Sequence, residues 1–269
     1  MIGLRGIAKR AVWFFNSSQK WVEIRRKGAL LPLSDMRALA ARLYLSGEGL
    51  EIGALNGPLP LPPDAHARYV DRFGLEELRR HYPGLDLVEV DIITDGERLV
   101  GIPEGSQDFI IANHFLEHCQ DPILTLQTLT SRLRPGGRLF MAVPDADHTF
   151  DRERPSTTFT HLLKDHNEGP DRSRMQHYRE WVGLVEAHSG AIADTRVQEL
   201  SAIEYSVHYH VWRMHDLLGF LTRCIDEVGV GLVLELAMRN GLEVICVLRR
   251  AETGPVRSQD TSPKGRARG

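Results

Sequence analysis

Apolar residues in the central part of the chain follow two alternating patterns. Short, nearly continuous apolar runs predict buried strands at residues 50–53, 67–71, 85–92, 108–112 and 138–143. Stripes that recur every three or four residues predict helices after Ser34, over residues 75–82, after Asp121 and over residues 214–228. Because strands that alternate with helices pair in parallel with right-handed crossovers, the pattern predicts a doubly wound α/β domain.

The last two predicted strands, residues 232–238 and 242–248, follow one another without a helix. The Arg239-Asn240-Gly241 link suits a tight hairpin turn, which makes one strand antiparallel to the others. Five parallel strands and this closing hairpin give a seven-stranded, mostly parallel, Rossmann-like sheet. Residues 144–213 interrupt the alternation with a polar stretch that is too long for a simple connection, so we interpret them as an insertion.

Local signals set the ends of several elements. Gly47 and Gly49 are expected to end the first helix, and Pro122 suits the first position of the helix that Asp121 caps. Residues 134–137 are expected to form the loop before the fifth strand. The chain then divides into a basic amphipathic N-terminal segment (1–33), a core (34–143), the insertion (144–213), a completion of the core (214–250) and a disordered tail (251–269).

Composition and charge limit the function classes. Hydrophobic residues make up 42% and charged residues 26% of the chain, as in a soluble enzyme with a substantial core. The net charge of −3 gives no global field that favours nucleic acid. Three widely spaced cysteines argue against a disulfide framework, so we expect a reducing, cytoplasmic location. The sequence lacks the apolar run of about 18 residues that a membrane span requires.

The first 27 residues carry seven basic side chains and a single acid, with aromatic residues between them. This pattern is typical of an amphipathic helix that lies on an anionic membrane or on a partner protein. It is also typical of a helix that packs on its own domain with a solvated basic face, and we favour this second interpretation. The interrupting charges argue against a signal peptide.

Three acids stand at the ends of the first three predicted strands: Glu51, Asp71 and Asp91. Ligands of open α/β sheets bind at the carboxyl ends of the strands, so these carboxylates are expected to face one site. Glu51 also opens the run Glu51-Ile52-Gly53-Ala54-Leu55-Asn56-Gly57. From about residue 50 to residue 143 the chain resembles the class I S-adenosylmethionine-dependent methyltransferases of the small-molecule type, the methyltransferase type 11-like proteins. Their first motif is an acid followed by alternate glycines.

The resemblance implies S-adenosyl-L-methionine as the cofactor and a role for each acid. Glu51 would lie under the methionine ammonium, Asp71 would accept hydrogen bonds from both ribose hydroxyls, and Asp91 would hold the adenine amino group. A cationic sulfonium ligand suits carboxylates better than a phosphate cradle. The cofactor-binding set that the resemblance implies is Glu51, Gly53, Ala54, Gly57, Asp71, Asp91, Ile92 and Asn113.

Two features depart from the family's pattern. Leu55 stands where the second glycine is usual, and a side chain there restricts the approach of the backbone to a ligand. Pro58, Pro60, Pro62 and Pro63 occupy the stretch where the family has its first helix, which therefore cannot form normally. We expect a reshaped cofactor pocket.

The segment after the fourth strand carries the candidate catalytic residues. If a helical turn begins at Asn113, then His114, Glu117 and His118 share one face, directed at the cleft where the methyl group is delivered. Removal of a proton from an oxygen acceptor suits a histidine, so His114 or His118 is the candidate base. A similar acid-x-x-Glu-His set holds a divalent metal in ubiquinone-pathway O-methyltransferases and small-RNA 2′-O-methyltransferases. Three ligands without a fourth do not make a site, so we assign no metal, and Glu117 and His118 alternatively serve to order the loop.

The insertion is expected to cover the acceptor. Residues 205–212 alternate like a strand, with two histidines and a tryptophan on one face that suits a sugar or an aromatic acceptor. A surface or core strand with hydrogen-bonded histidines is the alternative. Asp165 and His177 lie in the same insertion. The candidate substrate contacts are His161, His166, His208, His210 and Trp212.

These observations predict transfer of a methyl group to a hydroxyl of a small molecule or glycan. The resemblance is strongest to a bacterial subgroup found beside glycosyltransferases, which favours a glycan-related acceptor. The alternative is a catalytically silent methyltransferase fold that docks a glycosyltransferase or a membrane through its basic N-terminal segment. The altered first motif favours this alternative, and the retained acids oppose it. Nucleic-acid methylation is a weaker option that the charge opposes.

Overall fold

The computed structural model describes residues 33–252, with side chains from residue 36 onward. The predictions for the basic segment 1–33 and for the tail 251–269 fall almost entirely outside the described residues. Within the described range the helices are α1 (Leu33–Tyr44), α2 (Leu75–His81), α3 (Pro122–Arg132), α4 (Phe159–Glu168), α5 (Asp171–Leu184), α6 (Gly190–Ala202) and α7 (Met214–Arg223). The strands are β1 (Gly47–Ile52), β2 (Ala65–Asp71), β3 (Ile92–Ile93), β4 (Gln107–Asn113), β5 (Leu133–Pro144), β6 (Leu232–Asn240) and β7 (Glu243–Arg250).

The strands form one seven-stranded sheet in the order β3-β2-β1-β4-β5-β7-β6. The first five strands pair in parallel, and β7 lies antiparallel between β5 and β6. The predicted doubly wound sheet with a closing hairpin is therefore confirmed. The strand order reverses between β1 and β4, and the crevice outside the carboxyl ends of two such strands is where this class of sheet binds ligands.

Side chains that alternate along the strands build a core on each face of the sheet. On β4, Phe109 and Ile111 pack towards α1, whereas Ile110 and Ala112 pack towards α3 and α7. All four side chains are fully buried. Burial of each larger apolar side chain contributes about 1.5–3 kcal/mol relative to exposure, which explains why a run without polar residues marks a central strand.

The structure confirms two predicted helices and the residues that were expected to begin or end them. Asp121 caps α3 by accepting the N–H of Leu124 at 2.9 Å, with Pro122 in the first position. The predicted helix over residues 214–228 consists of α7 and a wider helical turn over Cys224–Val228. Gly229 ends it in the left-handed conformation at φ +80°.

Two strands begin earlier than the sequence predicts. Gly47 and Gly49 belong to β1 and do not end the helix before it. A Cβ on Gly49 would lie 2.5 Å from the ring of Phe109, so close strand packing requires this glycine. Residues 134–137 are not a loop but part of β5, where the pairing register with β4 shifts and Gly136 adopts φ +80°.

The predicted third strand, residues 85–92, is wrong. The strand β3 is only Ile92–Ile93, paired with the end of β2. The preceding segment turns towards the loop after β1, where the N–H of Val88 bonds the carbonyl of Leu55 at 2.8 Å. Its apolar alternation therefore reflects packing against that loop, and Asp91 precedes the strand that it was expected to end.

The proline-rich segment after β1 is not helical, as predicted. Leu59 is only 5% exposed and packs with α1 and with the face of β4 that carries Phe109 and Ile111. Leu61 packs against the same cluster. The segment thus covers the sheet face that a first helix would cover.

The insertion contains α4, α5, α6 and short helical turns at Ala146–His148 and Phe150–Glu153. It has a small core of its own, in which Tyr178 and Val182 of α5 meet Val197 and Leu200 of α6. Within the described residues, no helix combines the length and the apolar character needed to cross a membrane.

Candidate functional site

Glu51 lies near the carboxyl end of β1 and is only 2% exposed. Both of its carboxylate oxygens accept the backbone N–H of Leu59, at 2.9 and 3.1 Å. Burial raises the pKa of Glu51 to about 7, although the Leu59 N–H and Arg37 act against the shift. Each carboxylate oxygen can accept a second hydrogen bond, so the group retains capacity for a cation.

The turn after Glu51 adopts the backbone that an alternate-glycine motif would require. Gly53 has φ +65°, and Leu55 adopts φ +49°, a conformation that favours glycine. A Cβ built on Gly53 or Gly57 would meet no atom within 4 Å. The turn therefore forms although Leu55 stands where a glycine is usual, and there is open space beside Gly53 and Gly57.

Asp71 ends β2, where the sequence places it. Its Oδ1 accepts the N–H of Phe73 at 3.2 Å, and partial burial raises its pKa. Asp91 differs, because its Oδ2 accepts the N–H of Tyr69 at 2.7 Å from a position before β3. This hydrogen bond connects the segment before β3 to β2. The expected contact of Asp91 with the adenine amino group stays a prediction.

The acid at the carboxyl end of β3 is Asp95, which the sequence analysis missed. The backbone of Thr94 bonds the carbonyl of Asp71, so Asp95 follows directly beyond the strand end. A Cβ on the next residue, Gly96, would lie 2.7 Å from both Ile52 and Phe115. This loop therefore presses against the ends of β1 and β4. An acid followed by glycine directly after an apolar run was the available signal.

Asn113 ends β4, beside β1 at the point where the strand order reverses. Both polar atoms of its amide are buried, and neither has a hydrogen-bond partner among the described residues. Buried side-chain amides are nearly always paired, so an unpaired amide here indicates a ligand position.

His114 follows Asn113 and has a left-handed backbone at φ +49°. Its Nε2 lies 2.8 Å from Oε2 of Glu243, and its Nδ1 lies 3.6 Å from Oε1 of Glu117. A carboxylate can only accept, so Nε2 of His114 donates a proton to Glu243.

Glu243 is held in turn by Arg37 and Asn240, whose side chains donate to its Oε1 at 2.8 and 2.7 Å. Burial acts to raise the pKa of Glu243, but Arg37 and His114 outweigh it and hold the pKa well below the usual range. The sequence analysis missed Arg37 and Glu243, because no local pattern relates residues that are 206 positions apart.

Glu117, His118 and His208 meet beside His114. Their potential ligand atoms lie within 4.8 Å of one another, so the set could hold a metal ion. Neither oxygen of Glu117 has a hydrogen bond among the described residues, and complete burial raises its pKa. Nδ1 of His118 bonds the carbonyl of Val207 at 3.0 Å, and burial lowers the pKa of His118 to about 3. His208 of the insertion thus takes the place that the sequence analysis gave to His114, and the set still has three protein ligands.

Other candidate substrate contacts are held within the protein. His166 bonds Asp121 at 2.9 Å, and Nδ1 of His208 bonds Asp151 at 2.6 Å. His210 is fully buried, and its neighbour in space, His177, is 6% exposed. Burial lowers the pKa of His177 to about 3 and that of His210 well below its usual value.

The structure favours the alternative interpretation of residues 205–212, in which they belong to the core and do not face an acceptor. Residues 207–212 are buried on both sides and pair with no strand of the described sheet. Trp212 is 1% exposed and stacks on Phe220 in the main core at a ring distance of 5.5 Å. Trp212 therefore stabilises the core, and its burial excludes contact with an acceptor in this conformation.

Comparison with known proteins gives a family match. A family model described as a methyltransferase domain matches residues 24–203, about two thirds of the chain. A curated relative, an uncharacterised 37.1 kDa transposon protein of Streptomyces fradiae, is 31% identical over 125 residues, which is 45% of this chain. The matched part spans only 35% of that relative's length.

Two solved structures of S-adenosylmethionine-dependent methyltransferases are also similar. The Aquifex aeolicus protein is 13% identical, with 80% of this chain and 88% of that chain covered at a TM-score of 0.43. The Methanosarcina mazei protein is 14% identical, with 78% and 95% covered at a TM-score of 0.43. From the match over most of its length and from its seven-stranded sheet, the chain belongs to the methyltransferase-domain family, within the class I S-adenosylmethionine-dependent methyltransferases.

Proposed function

We propose that this protein uses S-adenosyl-L-methionine to methylate a hydroxyl oxygen of a small molecule or glycan. The observation that carries the proposal is the placement of Glu51, Asp71 and Asn113 at the ends of three adjacent strands, at the reversal of strand order. Carboxylates and an unpaired amide at this position suit a cationic nucleoside that also carries an amino acid.

The family resemblance implies a role for each of the two acids. Glu51 accepts a hydrogen bond from the methionine ammonium, and Asp71 accepts from the ribose hydroxyls. The amide of Asn113 is buried without a partner, so a ligand that both donates and accepts would satisfy it. Because Asp91 precedes β3, whereas Asp95 and Gly96 lie beyond its carboxyl end, we assign the adenine end to the loop that contains Asp95 and Gly96.

The cofactor supplies an electrophilic methyl group on sulfur, and the chain must hold the acceptor oxygen in line with it and remove its proton. His114 is the candidate base, because it follows the carboxyl end of β4 and Glu243 holds its Nε2 at 2.8 Å. A carboxylate that orients a histidine in this way also stabilises the imidazolium that forms. His118 suits the role less well, because its pKa of about 3 makes it a weak base at neutral pH.

Glu117, His118 and His208 converge beside His114, but three protein ligands without a fourth do not make a metal site, so we assign no ion to them. His208 belongs to the insertion, so the insertion contributes directly to the acceptor side.

The test is product analysis with S-adenosylmethionine and a panel of phenols, catechols, free sugars and nucleotide sugars. We expect a product with one added methyl group on oxygen. The substitution H114Q is expected to lower kcat about 10²–10⁴-fold with an unchanged affinity for S-adenosylhomocysteine, because it removes the base and leaves the cofactor contacts. The exposed His66 on β2 provides the control H66Q, which should retain full activity. Methylation of nitrogen or carbon would contradict the choice of acceptor, and full kcat in H114Q would contradict the choice of base.

A further inference from the structure

Beyond the cofactor crevice, polar side chains from three separate segments converge within the insertion. His161 and Asp165 stand one helical turn apart on α4, His177 lies on α5, and His210 lies on the buried extended segment. The potential ligand atoms of the three histidines lie within 4.8 Å of one another. Their rings lie 5.0–5.8 Å apart, at steep angles to one another.

Two of the separations among these atoms are close to those between ligands of a tetrahedral ion. Nε2 of His161 lies 3.2 Å from Nε2 of His177 and 3.1 Å from Oδ2 of Asp165. The same Asp165 oxygen lies 3.9 Å from Nε2 of His177. Ligands about 2.0–2.1 Å from a tetrahedral zinc ion are separated from one another by about 3.3 Å.

His210 provides the independent observation. Its Nε2 lies 3.3 Å from the carbonyl oxygen of Gln120, which can only accept, so Nε2 carries the ring proton. Nδ1 therefore presents a lone pair, and it is buried without a hydrogen-bond partner among the described residues. Metal-binding histidines characteristically donate their other N–H to a backbone carbonyl in this way.

We propose that His161, His177, His210 and Asp165 bind a zinc ion that fastens the insertion to the methyltransferase core. Hydrogen bonds within the cluster leave Nδ1 of His210 without a partner. A bound ion would be a partner for this nitrogen and also for the facing atoms of His161, His177 and Asp165. Ser173 donates its hydroxyl to the ligating oxygen of Asp165 at 2.9 Å and so orients the carboxylate. His161 is about a quarter exposed on its side chain, which gives the ion a path to the site.

The donor set favours zinc over the other common ions. Three imidazoles and one carboxylate are ligands that zinc prefers, while magnesium and calcium require mostly oxygen donors. Four protein ligands complete a tetrahedron and leave no position open, which is typical of a structural site.

The ion would act on the acceptor side of the protein through His210. The N–H of His210 bonds the carbonyl of Glu117, and its ring bonds the carbonyl of Gln120, so one residue joins α4 and α5 to the loop that follows β4. His208, two positions earlier, lies beside Glu117. The zinc site would thereby fix the position of the insertion over the candidate base and acceptor residues.

The test uses the full-length protein, stripped with a chelator and titrated with Zn²⁺ or Co²⁺. We expect one tightly bound ion per chain, a visible Co²⁺ spectrum of the tetrahedral type, and a rise in Tm of about 5–10 °C when free Zn²⁺ exceeds Kd a hundredfold. H161A and H210A should each abolish these three signals. H161A alters a partly exposed side chain, so it tests the ligand set even if H210A fails to fold.

Two controls separate this site from the neighbouring set of Glu117, His118 and His208. E117Q and the surface variant H66Q should keep the bound ion and the rise in Tm. Absence of metal in the wild-type protein at micromolar Zn²⁺, or binding that survives H161A, would overturn the proposal, as would binding that E117Q abolishes. None of these measurements involves S-adenosylmethionine, so their result is independent of the proposed function.

Discussion

Glu51 combines two conflicting requirements, since it is buried away from water yet is proposed to meet a cation. Burial raises its pKa from 4.5 to about 7, which means that the folded protein binds this proton more tightly than the unfolded chain does. Its contribution to stability is therefore present below about pH 4.5 and is lost as the pH rises to about 7. An ammonium group beside the ionised carboxylate would reverse this preference.

This conflict predicts a pH dependence of cofactor binding. Below pH 7 the ligand must displace the proton of Glu51, so the affinity for S-adenosylhomocysteine should rise between about pH 5.5 and 7 and then become constant. The limiting slope is about tenfold per pH unit. Calorimetry in buffers of different ionisation enthalpy measures the released proton directly.

The variant E51Q should bind more weakly at pH 7.5 and should lose the pH dependence, because a glutamine does not titrate. E89Q changes an exposed glutamate and is the matched control. A pH profile in E51Q identical to that of the wild-type protein would show that another group governs the effect.

Single residues were predictable where a local pattern defines them. Glu51, Asp71 and the run from Asn113 to His118 follow predicted strands directly, and the structure places them at strand ends or in the loop beyond. Glu243 and Arg37 were not predictable, because only folding brings β7 and α1 beside His114.

At the scale of elements, the proline-rich segment after β1 shows how a helix can be replaced without loss of the core. Its prolines exclude a helix, but the side chain of Leu59 still fills the place on the sheet that a helical side chain would occupy. The backbone N–H of the same residue binds Glu51, so packing of the segment and placement of the cofactor acid are coupled.

The substitution L59A should therefore destabilise the protein by about 2–4 kcal/mol, since it removes a buried side chain from a packed cluster. Urea unfolding monitored by circular dichroism measures the change. P60A, at an exposed position in the same segment, should cost less than about 1 kcal/mol. A similarly small loss in L59A would mean that the segment does not cover the sheet.

The third strand shows the limit of pattern analysis at this scale. Residues 85–92 alternate as a strand does, yet the partner of their backbone is the turn after β1, as the bond between Val88 and Leu55 shows. An alternation of apolar residues indicates that one side of a segment is buried, but it does not indicate which part of the protein covers that side. The acid at the strand end was misplaced for this reason.

At the scale of the whole molecule, the mostly parallel sheet and its antiparallel closing hairpin could be derived from the sequence, because alternation and a final hairpin leave few topologies. The sequence also located the ends of the insertion, but it did not predict the helices inside it. Its three helices and its small core depend on contacts such as His166 with Asp121 and His208 with Asp151, which no sequence spacing encodes.

Other contacts join the insertion to the loop beyond β4. His210 bonds the backbone of Glu117, and Arg174 bonds the side chain of Gln120 at 2.8 Å, both in the loop beyond β4. The insertion is thus anchored to the loop that carries the candidate catalytic residues.

The central claim is that the ends of β1, β2 and β4 form a site for a cationic adenosyl nucleoside, and calorimetric titration with S-adenosylhomocysteine tests it most directly. The account predicts one binding site per chain and an affinity that falls about 10–100-fold in D71A, through loss of hydrogen bonds to the ribose, but not in D86A, which alters an exposed aspartate. Absence of both heat and thermal stabilisation at millimolar ligand would contradict the account and would favour a catalytically silent module instead.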